Sequence, residues 1–338
     1  MHLTRPLQNF RLFYISATTH GAPLPTIVVS GKRCRNTVST TRRGITNVKK
    51  LVAFGLIAAL ALGALGLTGC GRTADSGSGT TGTDAGGELT GTINVEGSDT
   101  LVNMATAWSQ AFMTANPGVM ISVKGGGSGT GIASLINKTI DFANASREMK
   151  QEEIDQAKAN GVNPVEYTVA RDGIAVVVNP ANGVEDLTLE QIGKIYRGEI
   201  TNWSEVGGAD KAIVILSRDS SSGTYEYFKE AVVGKDKNYA SSAKLLPSNQ
   251  AIVDETAAND AAIGYVGVGY VDAKVKVLKV EGVAASVETV LDDTYKISRG
   301  LYMYSDGEAT GVMKAYLDWI LGAEGQKLVQ DEGFVPVQ

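Results

Sequence analysis

Two short polar stretches hold residues suited to gripping an anion. They are Lys124-Gly125-Gly126-Gly127-Ser128-Gly129-Thr130-Gly131 and Ser217-Arg218-Asp219-Ser220-Ser221-Ser222-Gly223-Thr224. Hydroxyls donate hydrogen bonds, glycine lets backbone N–H groups approach a ligand, and arginine supplies a planar charged fork matched to phosphate-like groups. Each stretch follows a short apolar run that reads as a strand, 119–123 and 213–216, and opens a segment with helical apolar spacing. The first N–H groups of a helix lack internal partners and lie at its positive end, so such junctions suit oxyanions. A third junction, Gly97-Ser98-Asp99-Thr100, joins strand-like Thr92-Ile93-Asn94-Val95 to Leu101, Met104, Ala105, Trp108, Ala111 and Phe112 at helical spacing. Ser98 and Asp99 fit a helix cap equally well. Three junctions of one chemistry make anion binding the leading expectation.

The front of the chain is a different kind of sequence. Nine of the 31 Lys/Arg fall in residues 1–69, which contain no Asp or Glu. Lys49-Lys50 precedes the uncharged run 51–67, and Leu67-Thr68-Gly69-Cys70 closes it. A charged start, an apolar middle and small residues at the end describe an export signal. The ending resembles the lipobox of bacterial lipoproteins, with Cys70 as the lipidated first residue of the mature protein. The run is short for a transmembrane helix, the competing reading. Val48-Lys49-Lys50-Leu51 would read Met-Lys-Lys-Leu if translation starts there, which makes 1–47 a misassigned upstream stretch. Residues 48–69 are then the signal peptide, and 70–88, rich in Gly, Ser, Thr and Asp, a flexible tether.

Beyond residue 69 the chain carries 22 Lys/Arg against 36 Asp/Glu, a formal net charge of −14. That balance argues against a nucleic-acid partner. His2, His20 and Cys34 all lie upstream, so the mature chain has no histidine and Cys70 as its one cysteine. Ser-His-Asp and Cys-His catalysis, His-ligated metal, disulfides and thiolate clusters are thereby excluded there. A serine hydrolase is further disfavoured because Thr130 breaks the G-x-S-x-G pattern begun at Gly126, and a metal-dependent phosphatase would need histidine. The expectation is a binding protein without enzymatic activity, cofactor or metal. A surface adhesin or signalling receptor on the same fold is the alternative role.

The elements that must position these loops alternate. Strands are expected at 92–95, 119–123, 141–145, 165–169, 174–178, 213–216, 262–266, 275–280 and 297–304, with helices between most of them. The continuous apolar run Ile174 to Val178 suits a strand buried on both faces, and Arg171-Asp172-Gly173 before it reads as a turn. Thr188-Leu189-Glu190-Gln191 is a capping box, and Trp203 reads as packing. This alternation predicts α/β layers with parallel sheets.

From about Gly91 to Val337 the chain resembles the phosphate-binding proteins of bacterial phosphate ABC importers. The resemblance rests on Gly97-Ser98-Asp99-Thr100, 125–131, 141–147, Arg171-Asp172-Gly173, Ile200-Thr201-Asn202-Trp203, 218–224 and Ala262-Ile263-Gly264-Tyr265-Val266. It implies a type II periplasmic-binding-protein fold, two α/β lobes joined by a two-strand hinge, with the ligand in the inter-lobe cleft. Lobe one would be 89–173 plus 266–338, and lobe two 174–265. It also implies a monomer, lipid-anchored on the extracytoplasmic face of the cell membrane, that delivers inorganic phosphate to permease subunits. Carried over by residue, Ser98, Asp99, Thr100, Ser128, Gly129 and Thr130 are first-lobe phosphate contacts. Arg218, Ser221, Ser222, Gly223 and Thr224 are those of the second lobe. Many members have Ser-Asp where this chain has Ser146-Arg147, and that aspartate accepts the proton of hydrogen phosphate. Arg147 is therefore expected as a second cationic donor, with Asp99 or Asp172 as the replacement acceptor.

Overall fold

The computed structural model describes residues 88–337. The expected signal, Cys70 and residues 70–87 of the expected tether lie outside that range. The elements in chain order begin with β1 (Gly91–Gly97), α1 (Val102–Ala115), β2 (Val119–Lys124), α2 (Ser128–Ile136), β3 (Phe142–Ala145), α3 (Gln151–Ala159) and β4 (Pro164–Val178). β5 (Asp186–Leu187), α4 (Leu189–Arg197), β6 (Val214–Arg218), α5 (Gly223–Phe228), β7 (Lys244–Leu246), α6 (Asn249–Ala258) and β8 (Ala262–Gly267) follow. β9 (Lys276–Val277), β10 (Lys279–Val280), α7 (Val287–Leu291), β11 (Ser298–Asp306), α8 (Gly311–Leu321) and α9 (Ala323–Asp331) complete the fold.

The main sheet runs β2-β1-β3-β11-β4-β8-β6-β7. Pairings within each half are parallel (β1 with β2 and β3, β6 with β7 and β8), as the strand–helix alternation requires. The central pairings are antiparallel, which that alternation does not predict. β4 joins the halves: residues 164–173 pair with β11 in the first lobe, and 174–178 pair with β8 in the second. The expected turn at Arg171-Asp172-Gly173 is therefore absent. Both parts of this 15-residue strand have ladder partners, so its backbone is satisfied without turning.

Ile174 to Val178 is buried on both faces, as its apolar continuity predicts. Ile174, Val176 and Val178 pack with Ile192, Ile195, Tyr196, Trp203 and Phe228, while Ala175 and Val177 face Leu216, Ile252 and Val253 across the sheet. Trp203 also donates Nε1–H to the Ala261 carbonyl at 2.9 Å, which fits its reading as packing. In the first lobe, Ile93, Val95, Trp108 and Phe112 pack under α8 and α9, and α2 covers Ala143 and Ala145 on the opposite face. Leu278, Val280, Val290, Tyr295 and Ile297 lie in the second-lobe core, although the expected boundary at 266 places them in lobe one. β9 pairs with β4 at Val177 and Val178, and β10 with β5, which draws the chain back before β11 returns it.

Candidate anion-binding site

Each polar loop is aimed by the strand before it and fixed by the helix after it. Ser98 Oγ accepts from Thr100 N at 3.2 Å and donates to Ser146 Oγ at 2.9 Å, so it both caps a turn and enters the site. Ser128 opens α2, and its hydroxyl accepts from Ser146 N at 3.0 Å. Ser222 caps α5 by accepting from Tyr225 N at 3.4 Å. Arg218 ends β6, where its N–H donates to Tyr265 Oη at 3.3 Å. Tyr265 in turn stacks on Phe228 at 3.9 Å between centroids. Burial raises the Tyr265 pKa, so the phenol remains a neutral partner.

The two lobes meet at these loops. Gly129 N donates to the Ser221 carbonyl at 3.0 Å, and Ser221 Oγ to the Gly126 carbonyl at 3.1 Å. Thr100 Oγ1 and Thr224 Oγ1 are 2.9 Å apart. Asn249, at the start of α6, donates its N–H and Nδ2–H to Asp99 Oδ2 at 2.9 and 3.1 Å. Two glycines permit this approach. A Cβ on Gly127, whose φ is +95°, would lie 2.5 Å from the Ser221 carbonyl oxygen, and one on Gly223 2.3 Å from Ser128 Oγ.

Arg218 is the charged centre. It is 1% exposed, Nη2 donates to the Pro247 carbonyl at 3.0 Å and stands 3.4 Å from Asp99 Oδ2. Its Nε and Nη1 are buried without a hydrogen-bond partner among the described residues. Burial lowers its pKa from the ordinary arginine value, with Asp99 opposing that shift. A buried guanidinium with unmet donors among hydroxyls is chemically complementary to an oxyanion.

Ser98, Asp99, Thr100, Ser128, Gly129, Ser146, Arg218, Ser221, Ser222, Gly223 and Thr224 thus converge on one cleft. Three expected contacts stand apart from it. Thr130 is exposed, and its hydroxyl bonds the Gly126 carbonyl within its own loop. Arg147 turns to Glu153 in α3, which it grips with Nη1 at 2.8 Å and Nη2 at 2.7 Å. Nη1 also donates to the Glu148 carbonyl at 2.9 Å, while Nε is buried without a hydrogen-bond partner among the described residues. Asp172 lies behind the hydroxyls, fully buried, accepting from Val268 N at 3.1 Å and from Arg299 Nη2 at 2.8 Å. Burial raises its pKa against the opposing pull of the Arg299 charge.

Arg299 and Asn249 have no place in the sequence expectation. Arg299 sits in a strand whose neighbours are mostly apolar, and a charge at such a position is itself a signal. Asn249 is the first residue of α6. The start of that helix is set by Ser248, whose hydroxyl accepts from Ala251 N at 3.0 Å, a cap legible in the sequence.

Residues 80–324 match the model of the PBP superfamily domain. The chain is 33% identical over 292 residues to the phosphate-binding protein PstS of Bacillus subtilis, covering 85% of this chain and 94% of that one. PstS of Staphylococcus saprophyticus is also 33% identical, over 302 residues, with 85% and 90% covered. Among solved structures, a Clostridium perfringens protein assigned as a phosphate ABC transporter substrate-binding protein, with phosphate bound, superposes with TM-score 0.69 and 36% identity. That match covers 73% of this chain and 100% of the other. An ABC-type phosphate transport receptor from Vibrio cholerae gives TM-score 0.62 at 29% identity, covering 72% and 99%. The fold is the two-lobed type II periplasmic-binding-protein fold. Within that superfamily the chain belongs to the family of the phosphate-binding protein PstS.

Proposed function

We propose that this protein captures inorganic phosphate in the cleft between its lobes and delivers it to the permease subunits of an ABC importer. One observation carries the ligand reading: Arg218, beside Asp99 where the Thr100 and Thr224 hydroxyls of the two lobes meet, presents two buried nitrogens without a partner among the described residues. The mechanism is capture without bond cleavage. Phosphate meets the Ser98, Ser128 and Ser146 hydroxyls of the first lobe, and Arg218 with Ser222 to Thr224 then closes over it. A ligand touching both lobes favours the closed arrangement, and charge-assisted bonds away from water are strong enough to hold an anion on an acidic protein.

Recognition of hydrogen phosphate over sulfate needs an acceptor for the phosphate proton. Asp99 suits that role better than Asp172. Both oxygens of Asp172 are engaged, by Val268 N and by Arg299. Asp99 engages Asn249 through Oδ2, and Oδ1 accepts no hydrogen bond among the described residues. Lipidation at Cys70 would hold the protein to the extracytoplasmic face of the membrane, as a monomer. Cells that depend on this protein should lose labelled phosphate uptake with Arg218→Ala, and Cys70→Ala should abolish palmitate incorporation. Unchanged uptake with the arginine variant would refute the transport role.

A further inference from the structure

Arg299 occupies an unusual position. It lies in β11 near the hinge, its side chain is 2% exposed, and it binds three separate parts of the molecule. Nε and Nη2 donate to Asp172 Oδ2 at 3.2 and 2.8 Å, in the strand that crosses between lobes. Nη1 donates to the Ser146 carbonyl at 2.7 Å, in the first-lobe hydroxyl cluster. Nη2 also donates to Thr224 Oγ1 at 2.9 Å, in the second-lobe loop.

A hydroxyl has one proton to give. Arginine has no acceptor, so in the Arg299–Thr224 contact Thr224 Oγ1 can only accept. Its own proton must then go to Thr100 Oγ1, 2.9 Å away, or into the cleft. Thr100 Oγ1 also has Asn249 Nδ2 as a donor at 3.5 Å, so a proton received there displaces the Thr100 proton toward the ligand. The same logic holds at Ser128, which accepts from Ser146 N and so keeps its proton to donate. Arg299 holds the Ser146 carbonyl of that same peptide segment.

Resting on the reading of this cleft as a phosphate site, we propose that Arg299 is a positioning residue for capture. It orients the Thr224–Thr100 hydroxyls as donors toward the anion and locks that orientation to lobe closure through Asp172 and Ser146. It makes this contribution through Thr224 without touching the ligand itself.

The test is a double-mutant cycle on phosphate affinity and dissociation rate. Because Asp172 would be left buried and unpaired by loss of Arg299 alone, the pair is neutralised together as Arg299→Gln with Asp172→Asn. The expected result is at least tenfold weaker binding, carried by faster dissociation with association unchanged. The same pair introduced beside Thr224→Val should cost less than threefold. Equal losses in both backgrounds would mean the pair is merely structural and overturn the proposal, as would no loss at all. If the neutralised pair does not fold, the isotope-labelled wild-type protein decides. Its Arg299 guanidinium proton signals should shift on phosphate addition and should not shift in Thr224→Val; equal shifts in both overturn the assignment. Wild-type protein that binds no phosphate would overturn the ligand reading itself, whereas binding with additive losses sinks the Arg299 role alone.

Discussion

Arg218 Nη2 of the second lobe stands 3.4 Å from Asp99 Oδ2 of the first, while Nε and Nη1 of the same guanidinium have no partner among the described residues. One carboxylate therefore half-satisfies a fully buried cation, and a phosphate between the lobes would supply the remaining acceptors. Arg218→Ala should weaken phosphate binding by about 2–5 kcal/mol, the usual cost of truncating one side of a buried charge contact. Its ligand-free unfolding temperature should hardly change, because the lost side chain faces the cleft. A large fall in that temperature would mark Arg218 as structural.

Asp99→Asn retains shape while turning an acceptor into a possible donor. It should lower phosphate affinity, raise sulfate affinity, and narrow their ratio by about 1–3 kcal/mol if one buried mismatch carries the discrimination. Asp172→Asn should leave that ratio alone, since Arg299 and Val268 already occupy the Asp172 oxygens. Competitive titration of both variants with both anions distinguishes the two aspartates. A ratio that moves with Asp172 and not with Asp99 would reverse their roles.

Gly223→Ala places a methyl 2.3 Å from Ser128 Oγ and 2.7 Å from Ser146 Oγ, both on the opposite lobe. The clash exists only when the lobes are together, so closure should lose about 1–3 kcal/mol, the range typical of overpacking. Weaker phosphate binding should accompany an unaltered ligand-free fold, as read by circular dichroism.

Arg147 serves stability. Burial pushes Glu153 upward, but the hydrogen bonds from Arg147 and Lys150 N outweigh it, leaving the carboxyl below the ordinary value of 4.5. A depressed carboxyl pKa adds stability that is present above the unfolded value and lost as pH falls through the folded one. Glu153→Gln should therefore destabilise the protein by about 1 kcal/mol at pH 7, with the difference fading below about pH 4. Urea titrations at pH 7 and at pH 3.5 that gave the same difference would contradict this.

Much of the site was legible because its chemistry is local. The glycine and serine loops announce themselves by composition, and strand-to-helix junctions aim them at one cleft. The pairing of Arg147 with Glu153 is not legible in the sequence, because Glu153 lies on the next helix and competes for the guanidinium, a contest that spacing alone does not reveal. The turn expected at Asp172 vanished because pairing with β11, more than a hundred residues later, overrides local turn chemistry. Arg299 escaped notice for the same reason: its partners Ser146, Asp172 and Thr224 are joined to it only by the fold. The return of 276–297 to the second lobe likewise depends on ladders that no single segment encodes.

Calorimetric titration of the purified protein with phosphate, after dialysis against EDTA, tests the central claim most directly. One phosphate should bind per chain with no metal added, and sulfate should bind far more weakly. Binding that disappeared with EDTA, or sulfate binding as tight as phosphate, would contradict it.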